Sequence, residues 1–321
     1  KGELYQQVEV RSEGWKVDRE VYETLSAFRE HLRQLTGQQN VGLYFLEDRK
    51  RYFPNGSLAA HVLGYESKEG RGIGGILQRY AEELEGRPGK IVYQQDGIRT
   101  QLPGGEVEVQ QAVNGVNITL TIDRDIQYYI EEALKETYEK YQPAGAAAIA
   151  MDPKTGEILG MASLPTYDPN RYWEADPAAF RNNAIQSLYE PGSTFKIVTL
   201  AGAVEEGLFD PEEIYKSGSI RVANYTIRDH NNGAGWGEIT YLEGLKRSSN
   251  VAFVKLGYEK LGADKLLEYI KAFGFGNRTG IELPAEEAGA VTIRKQYATE
   301  VATAAFGQGR LQVTAIQQLT A

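Results

Sequence analysis

The sequence predicts an α+β fold: an antiparallel sheet with helices packed on it, preceded by a smaller α+β platform. Three observations predict it. Residues 1–112 are irregular, charged and turn-rich; from about Val113 a strand-like alternation leads into a helix and then a hairpin; the remainder is a block of helices. A length of 321 residues suits two domains, read here as a platform over 1–112 and a second domain over 113–321.

In the platform, Asp18 caps a helix that Gly37 ends, with Val21, Leu25, Phe28, Leu32 and Leu35 as its apolar stripe. A second helix is expected over 75–85, with Ile76, Tyr80 and Leu84 on one face. A strand follows at 91–93, and Asp96-Gly97 reads as a tight turn. In the second domain, residues 116–121 alternate as a strand. Asp123 then caps a helix whose core face is Ile126, Tyr129, Ile130, Ala133 and Leu134. Residues 145–151 read as a buried strand and 157–163 as its partner, joined by the turn chemistry of Asp152-Pro153-Lys154-Thr155-Gly156. Helices are expected over 193–206, 240–247, 251–261 and 264–273, with Thr240 and Glu243 forming a capping box.

Composition narrows the function. At 41% hydrophobic and 25% charged residues the chain is an ordinary globular one. It contains no cysteine, which excludes a disulfide framework, a thiolate metal site and a cysteine nucleophile. A net charge of −9 repels phosphate backbones and argues against nucleic acid. Apolar runs such as 144–150 fall far short of the ~20 residues that span a bilayer. The chain begins at Lys1, so an N-terminal piece is expected to have been removed.

The three histidines, His31, His61 and His230, have no metal-ligand spacing partner and read as surface or structural residues. A hydrolase or transferase here needs another base, and lysine can serve. In Pro191-Gly192-Ser193-Thr194-Phe195-Lys196, the serine and lysine fall three apart on one face of a starting helix. Desolvation can lower the amine's pKa until it takes the hydroxyl proton, and the helix N-terminus favours a developing oxyanion. With 11 serines and 16 lysines, chance gives about half an Ser-x-x-Lys occurrence, so a capping serine and a solvated lysine would explain the motif alone. It is not alone: Ser248-Ser249-Asn250 follows at a junction between helices, and Ser-x-x-Lys followed by Ser-x-Asn is two thirds of a known acyl-transfer signature.

The chain resembles the class B penicillin-binding proteins. The similarity is carried by the segments beginning Asp152-Pro153-Lys154-Thr155-Gly156, Tyr167-Asp168-Pro169-Asn170, Glu190 to Lys196, and Phe306-Gly307-Gln308-Gly309 with Val313-Thr314. It reaches back through Leu120 to Asp123 and Ala60 to Gly64, covering roughly 55–321. The resemblance implies a transpeptidase fold with helices on both sides of its sheet. Ser193 is then the acylated nucleophile, Lys196 its general base, Ser248 a proton carrier to the leaving amine, and Asn250 a holder of Lys196 and the substrate amide. Thr194 and Ser249 are expected substrate contacts. It further implies peptidoglycan stem peptides ending in D-Ala-D-Ala as substrate, β-lactam antibiotics as inhibitors, and no metal or cofactor. Glycosyltransferase, divisome or elongasome membrane proteins are the implied partners. The implied place is the cell membrane, with an extracytoplasmic catalytic domain on a single anchor. A non-catalytic β-lactam sensor or wall-synthesis scaffold, and a serine β-lactamase, are the competing readings.

The family's third element, Lys-Thr/Ser-Gly, follows the Phe-Gly-Gln-Gly region. Lys154-Thr155-Gly156 precedes the nucleophile and Lys216-Ser217-Gly218 lies between the first two motifs, so neither qualifies. The element is expected beyond Ala321, and a protein ending there is expected to be inactive.

Overall fold

The computed structural model describes residues 8–10, 14–94 and 107–321. Helix α1 (Arg19–Thr36) follows Asp18 and stops where Gly37 turns left-handed, φ 67°, returning its N–H to Arg33 O. None of its residues is buried; the expected stripe is largely exposed, with Tyr22 and Arg29 gathering on Phe45 instead. Next come α2 (Ala60–Leu63), the antiparallel pair β1 (Tyr65–Glu66) and β2 (Gly72–Ile73), α3 (Gly75–Arg79) and α4 (Ala81–Glu85). The single helix expected over 75–85 is two, because Tyr80 leaves helical angles (φ −117°, ψ 32°) while its hydroxyl reaches Glu282. Strands β3 (Lys90–Tyr93) and β4 (Val107–Gln110) pair antiparallel. The expected Asp96-Gly97 turn lies outside the described residues.

Residues 116–121 form no strand. Val116 N–H is held by Glu83 O and Thr121 Oγ1 by Ile158 O, so the alternation sorts side chains without building a ladder. Helix α5 (Arg124–Tyr141) is capped as expected, with Asp123 accepting from Asp125 and Ile126 N–H. Its packed face is displaced from the expected one. Ile126 and Ile130 lie against Gly160, but Tyr129 is 70% exposed and Ala133 is exposed too. Gln127 is buried in their place, its amide bonding both the N–H and the C=O of Met161. A polar side chain that satisfies strand backbone groups can be buried as readily as an apolar one, and hydrophobic periodicity does not register it.

Strands β5 (Ala146–Met151) and β6 (Ile158–Leu164) form the expected antiparallel hairpin, with a bulge at Ala150/Met151. Gly160 meets α5, whereas its neighbour Met161 packs with Ile185 and Ile316. These two residues point to opposite faces, so helices cover both sides. Ile185 belongs to α6 (Asn183–Gln186).

A 3₁₀ turn (Gly192–Phe195) leads into α7 (Lys196–Glu205). Four short strands follow: β7 (Ile214–Lys216), β8 (Ser219–Val222), β9 (Tyr225–Arg228) and β10 (Glu238–Thr240), with β7 paired to β10 and β8 to β9. Helix α8 (Tyr241–Lys246) has half of the expected capping box. Thr240 Oγ1 accepts from Glu243 N–H, but the Glu243 carboxylate pairs with Arg247 at 2.6 Å. Helix α9 (Asn250–Val254) passes into a π-helical segment (Lys255–Leu261) and then α10 (Gly262–Ala272). The chain closes with β11 (Ala290–Val291), α11 (Ala298–Ala304), β12 (Leu311–Gln312), which pairs with β11, and α12 (Ala315–Thr320), which carries Ile316. Two apolar cores flank α7. Ala203 packs with Phe253 and Leu256 on one side, and Val198 with Leu266 and Ile270 on the other.

Candidate active site

The turn carrying Ser193 is fixed from beneath and from one side. Phe195 is fully buried against Phe275, ring centroids 5.1 Å apart. Gly192, at φ 59°, takes the left-handed conformation that glycine adopts without a Cβ penalty and donates its N–H to Gly307 O at 2.8 Å. Tyr189 and Val313 exchange both backbone hydrogen bonds, which stitches the segment after β12 to the approach of this turn. Ser193 itself is exposed, and among the described residues its hydroxyl has no hydrogen-bond partner. Thr194 is exposed as well, with its hydroxyl donating to Pro191 O.

Lys196 begins α7 one turn later and is only 4% exposed. Its ammonium donates to Ser248 O at 2.7 Å, Ser248 Oγ at 3.0 Å and Asn250 Oδ1 at 2.9 Å, and lies 5.2 Å from the Phe253 ring centre. Burial pulls its pKa down to about 8, against the opposing negative charge of Asp229. At that value about a tenth of the amines are neutral at pH 7, against about one in three thousand for an ordinary lysine. A buried, partly neutral amine beside a hydroxyl can accept and pass a proton.

The second half of the site is the turn between α8 and α9. Ser248 sits there at φ 53°, a left-handed conformation costing a non-glycine residue about 1–2 kcal/mol. Ser248 and Asn250 both face Lys196. Asn250 spends its amide N–H₂ on Arg228 O at 2.9 Å, leaving Oδ1 as the group turned to the lysine. Ser249 faces the other way: it is 0% exposed, donates to Asp229 Oδ1 and accepts from Ala252 N–H. Full burial leaves Ser249 no surface for a substrate, so the expected contact is replaced by an anchoring role beneath the turn.

Sequence reasoning also missed Asp229, a carboxylate 2% exposed that reaches the same turn. No local spacing connects it to Ser249, twenty positions on. The two rejected tripeptides behave as structural pieces: Lys154 N–H is held by Asp152 in the hairpin turn, and Ser217 bonds Gly237 O beside Gly218. His61 is buried against Ala179 O with its pKa lowered by burial, and His230 holds Arg247 O. Neither faces Ser193 through a hydrogen bond. Among the described residues no cluster of His, Cys, Asp or Glu could hold a metal, and no helix is long and apolar enough to cross a membrane.

Residues 146–321 match the family model described as the penicillin-binding protein transpeptidase domain. The chain belongs to that family. Within it, the chain is homologous to class B penicillin-binding proteins. It is 40% identical to stage V sporulation protein D of Bacillus subtilis over 91% of this chain and 45% of that protein. It is 29% identical to the peptidoglycan D,D-transpeptidase FtsI of Escherichia coli, over 86% of this chain and 46% of the relative. It thus spans about half the length of these penicillin-binding proteins. Among solved structures, penicillin-binding protein 3 of Mycobacterium tuberculosis superimposes with a TM-score of 0.72 at 30% identity, covering 84% of this chain and 56% of that one. A second structure of that protein holds ampicillin. The family match begins at β5 and includes Ser193, Lys196, Ser248 and Asn250.

Proposed function

We propose that this chain carries the acylating site of a peptidoglycan D,D-transpeptidase. Lys196 takes the Ser193 hydroxyl proton as Oγ attacks the carbonyl of the penultimate D-Ala of a stem peptide. The proton passes by way of Ser248 Oγ to the departing nitrogen, the peptide bond breaks, and terminal D-Ala leaves with Ser193 acylated. An amine of a neighbouring stem peptide then attacks the ester, loses a proton to the same relay and restores Ser193. A β-lactam follows the first half, its ring amide opening on Ser193 while the cleaved nitrogen stays tethered.

The observation that carries this reading is the convergence of Ser248 and Asn250 on a buried, pKa-lowered Lys196 one turn from an exposed serine. Thr194, exposed beside Ser193, is proposed as a substrate contact. Residues 1–112 are proposed as a platform, and the working place as the outer face of the cell membrane beside glycosyltransferase and other wall-synthesis proteins.

Fluorescent penicillin tests the reading. A parent protein extended past Ala321 to include the expected Lys-Thr/Ser-Gly element is expected to form a covalent adduct on the peptide containing Ser193, and Ser193→Ala is expected to abolish it. Label retained in Ser193→Ala, or no label in the parent, would overturn the assignment.

A further inference from the structure

Three consecutive residues at the end of β9 grip the turn that presents Ser248 and Asn250. The Arg228 carbonyl accepts from Asn250 Nδ2 at 2.9 Å. The Asp229 carboxylate accepts from Ser249 Oγ at 2.9 Å and Val251 N–H at 3.1 Å through Oδ1, and from Gly218 N–H at 2.8 Å through Oδ2. The His230 ring, whose Nε2 must carry the hydrogen because a carbonyl only accepts, reaches Arg247 O at 3.0 Å. Residues 247, 249, 250 and 251 are all held, and the one between, Ser248, is in the left-handed conformation. Such a conformation persists where its surroundings over-determine it.

We propose that Asp229 is a positioning residue of the site, clamping the Ser248–Asn250 turn so that both side chains meet the Lys196 ammonium. This rests on the transpeptidase reading above. Both carboxylate oxygens are used, so an amide cannot replace it: asparagine offers one acceptor oxygen and would turn an N–H₂ toward either Gly218 N–H or the Ser249–Val251 side. Asp229 also raises the lysine pKa against the lowering by burial, so its charge and its geometry act on the same amine. The charged or titratable groups around it are Lys196 across the site, Tyr215 of β7, which feels its charge, and Arg228, His230 and Arg247 around the clamp.

The test is the second-order rate of acylation by fluorescent penicillin as a function of pH, with thermal melting alongside. Asp229→Asn is expected to lower the rate about tenfold or more, as misplacement of acid–base groups does. It should also move the acid limb of the profile to lower pH, since loss of a negative neighbour lowers an amine pKa. Ser249→Ala, which cuts one clamp bond and keeps the charge, should slow acylation without moving the limb. Glu286→Gln is the structural control, because Glu286 is another buried carboxylate that holds Thr279 and Gly280 N–H away from the site; it should leave both rate and limb unchanged. Asp229→Asn acylating within twofold of the parent on an unmoved limb would overturn the proposal, as would an equal effect of Glu286→Gln. Should Asp229→Asn fail to fold, a parent-like rate in Ser249→Ala overturns it. An unlabelled parent protein would sink the transpeptidase reading, and this inference with it.

Discussion

Lys196 is surrounded by three oxygens that favour its charged form, yet its pKa falls to about 8. Desolvation therefore outweighs both the acceptors and the Asp229 charge. Because a base acts only when neutral, acylation is expected to rise about tenfold per pH unit up to about pH 8 and level off above it; a flat profile from pH 6 to 9.5 would remove Lys196 from the proton path. Lys196→Arg is expected to cost at least about a thousandfold in acylation rate, since a guanidinium stays protonated throughout that range. The pairing of Ser193 with Lys196, and of Ser248 with Asn250, was legible as geometry because each pair lies within one helical turn or one short link. Ser249 was misread even though alternation around a tight turn sends it opposite to its neighbours. Asp229 was not legible at all, because its contact with Ser249 is made by the path of β8 and β9, which no local pattern encodes.

At the scale of elements, α7 holds its place through close helix contacts as well as apolar area. Gly257, in the π-helical segment, is so near α11 and α7 that an added Cβ would stand 2.5 Å from Ala305 Cβ and 3.0 Å from Thr199 Cγ2. Thr199 in turn donates to Ala305 O at 2.8 Å and lies three residues after Lys196. Gly257→Ala is expected to destabilise the fold by about 1–3 kcal/mol and to slow acylation by displacing the start of α7; melting and labelling rate measured together would show both. An unchanged melting temperature would mean that the α7–α11 contact yields freely. Long amphipathic helices such as α1 and α5 and the β5–β6 hairpin were readable from period and turn chemistry. The π-helical widening was not, since residues 251–261 keep a helical hydrophobic pattern whichever carbonyl each N–H chooses. The break at Tyr80 was hidden for a similar reason, since the hydroxyl contact that accompanies it is with Glu282, two hundred residues away.

Across the whole molecule, the N-terminal region attaches in two different ways. Ala59, Val62 and Ile76 share one core with Met161, Ile185 and Ile316, and Ala59 N–H is fixed by Glu131 of α5 at 2.8 Å. The compositional change near Val113 says nothing of this shared core. By contrast α1 buries no residue, and its neighbourhood meets the rest through pairs such as the exposed Lys50–Asp18 and the largely buried Lys16–Glu66. Arg51 also pairs with Glu66, so a protein lacking residues 1–49 keeps a partner for that carboxylate. Surface ion pairs contribute about 0–1 kcal/mol each. Deleting 1–49 is therefore expected to shift the melting temperature by no more than about 3 °C and to leave penicillin acylation within about twofold. Glu131→Ala should behave oppositely despite its small size. It strands the Ala59 N–H and one Gln127 amide hydrogen in a packed interface, where each lost partner costs about 1–3 kcal/mol. If the deletion unfolds the protein while Glu131→Ala does not, the shared core at Ala59 is not what joins the two regions, and α1 is.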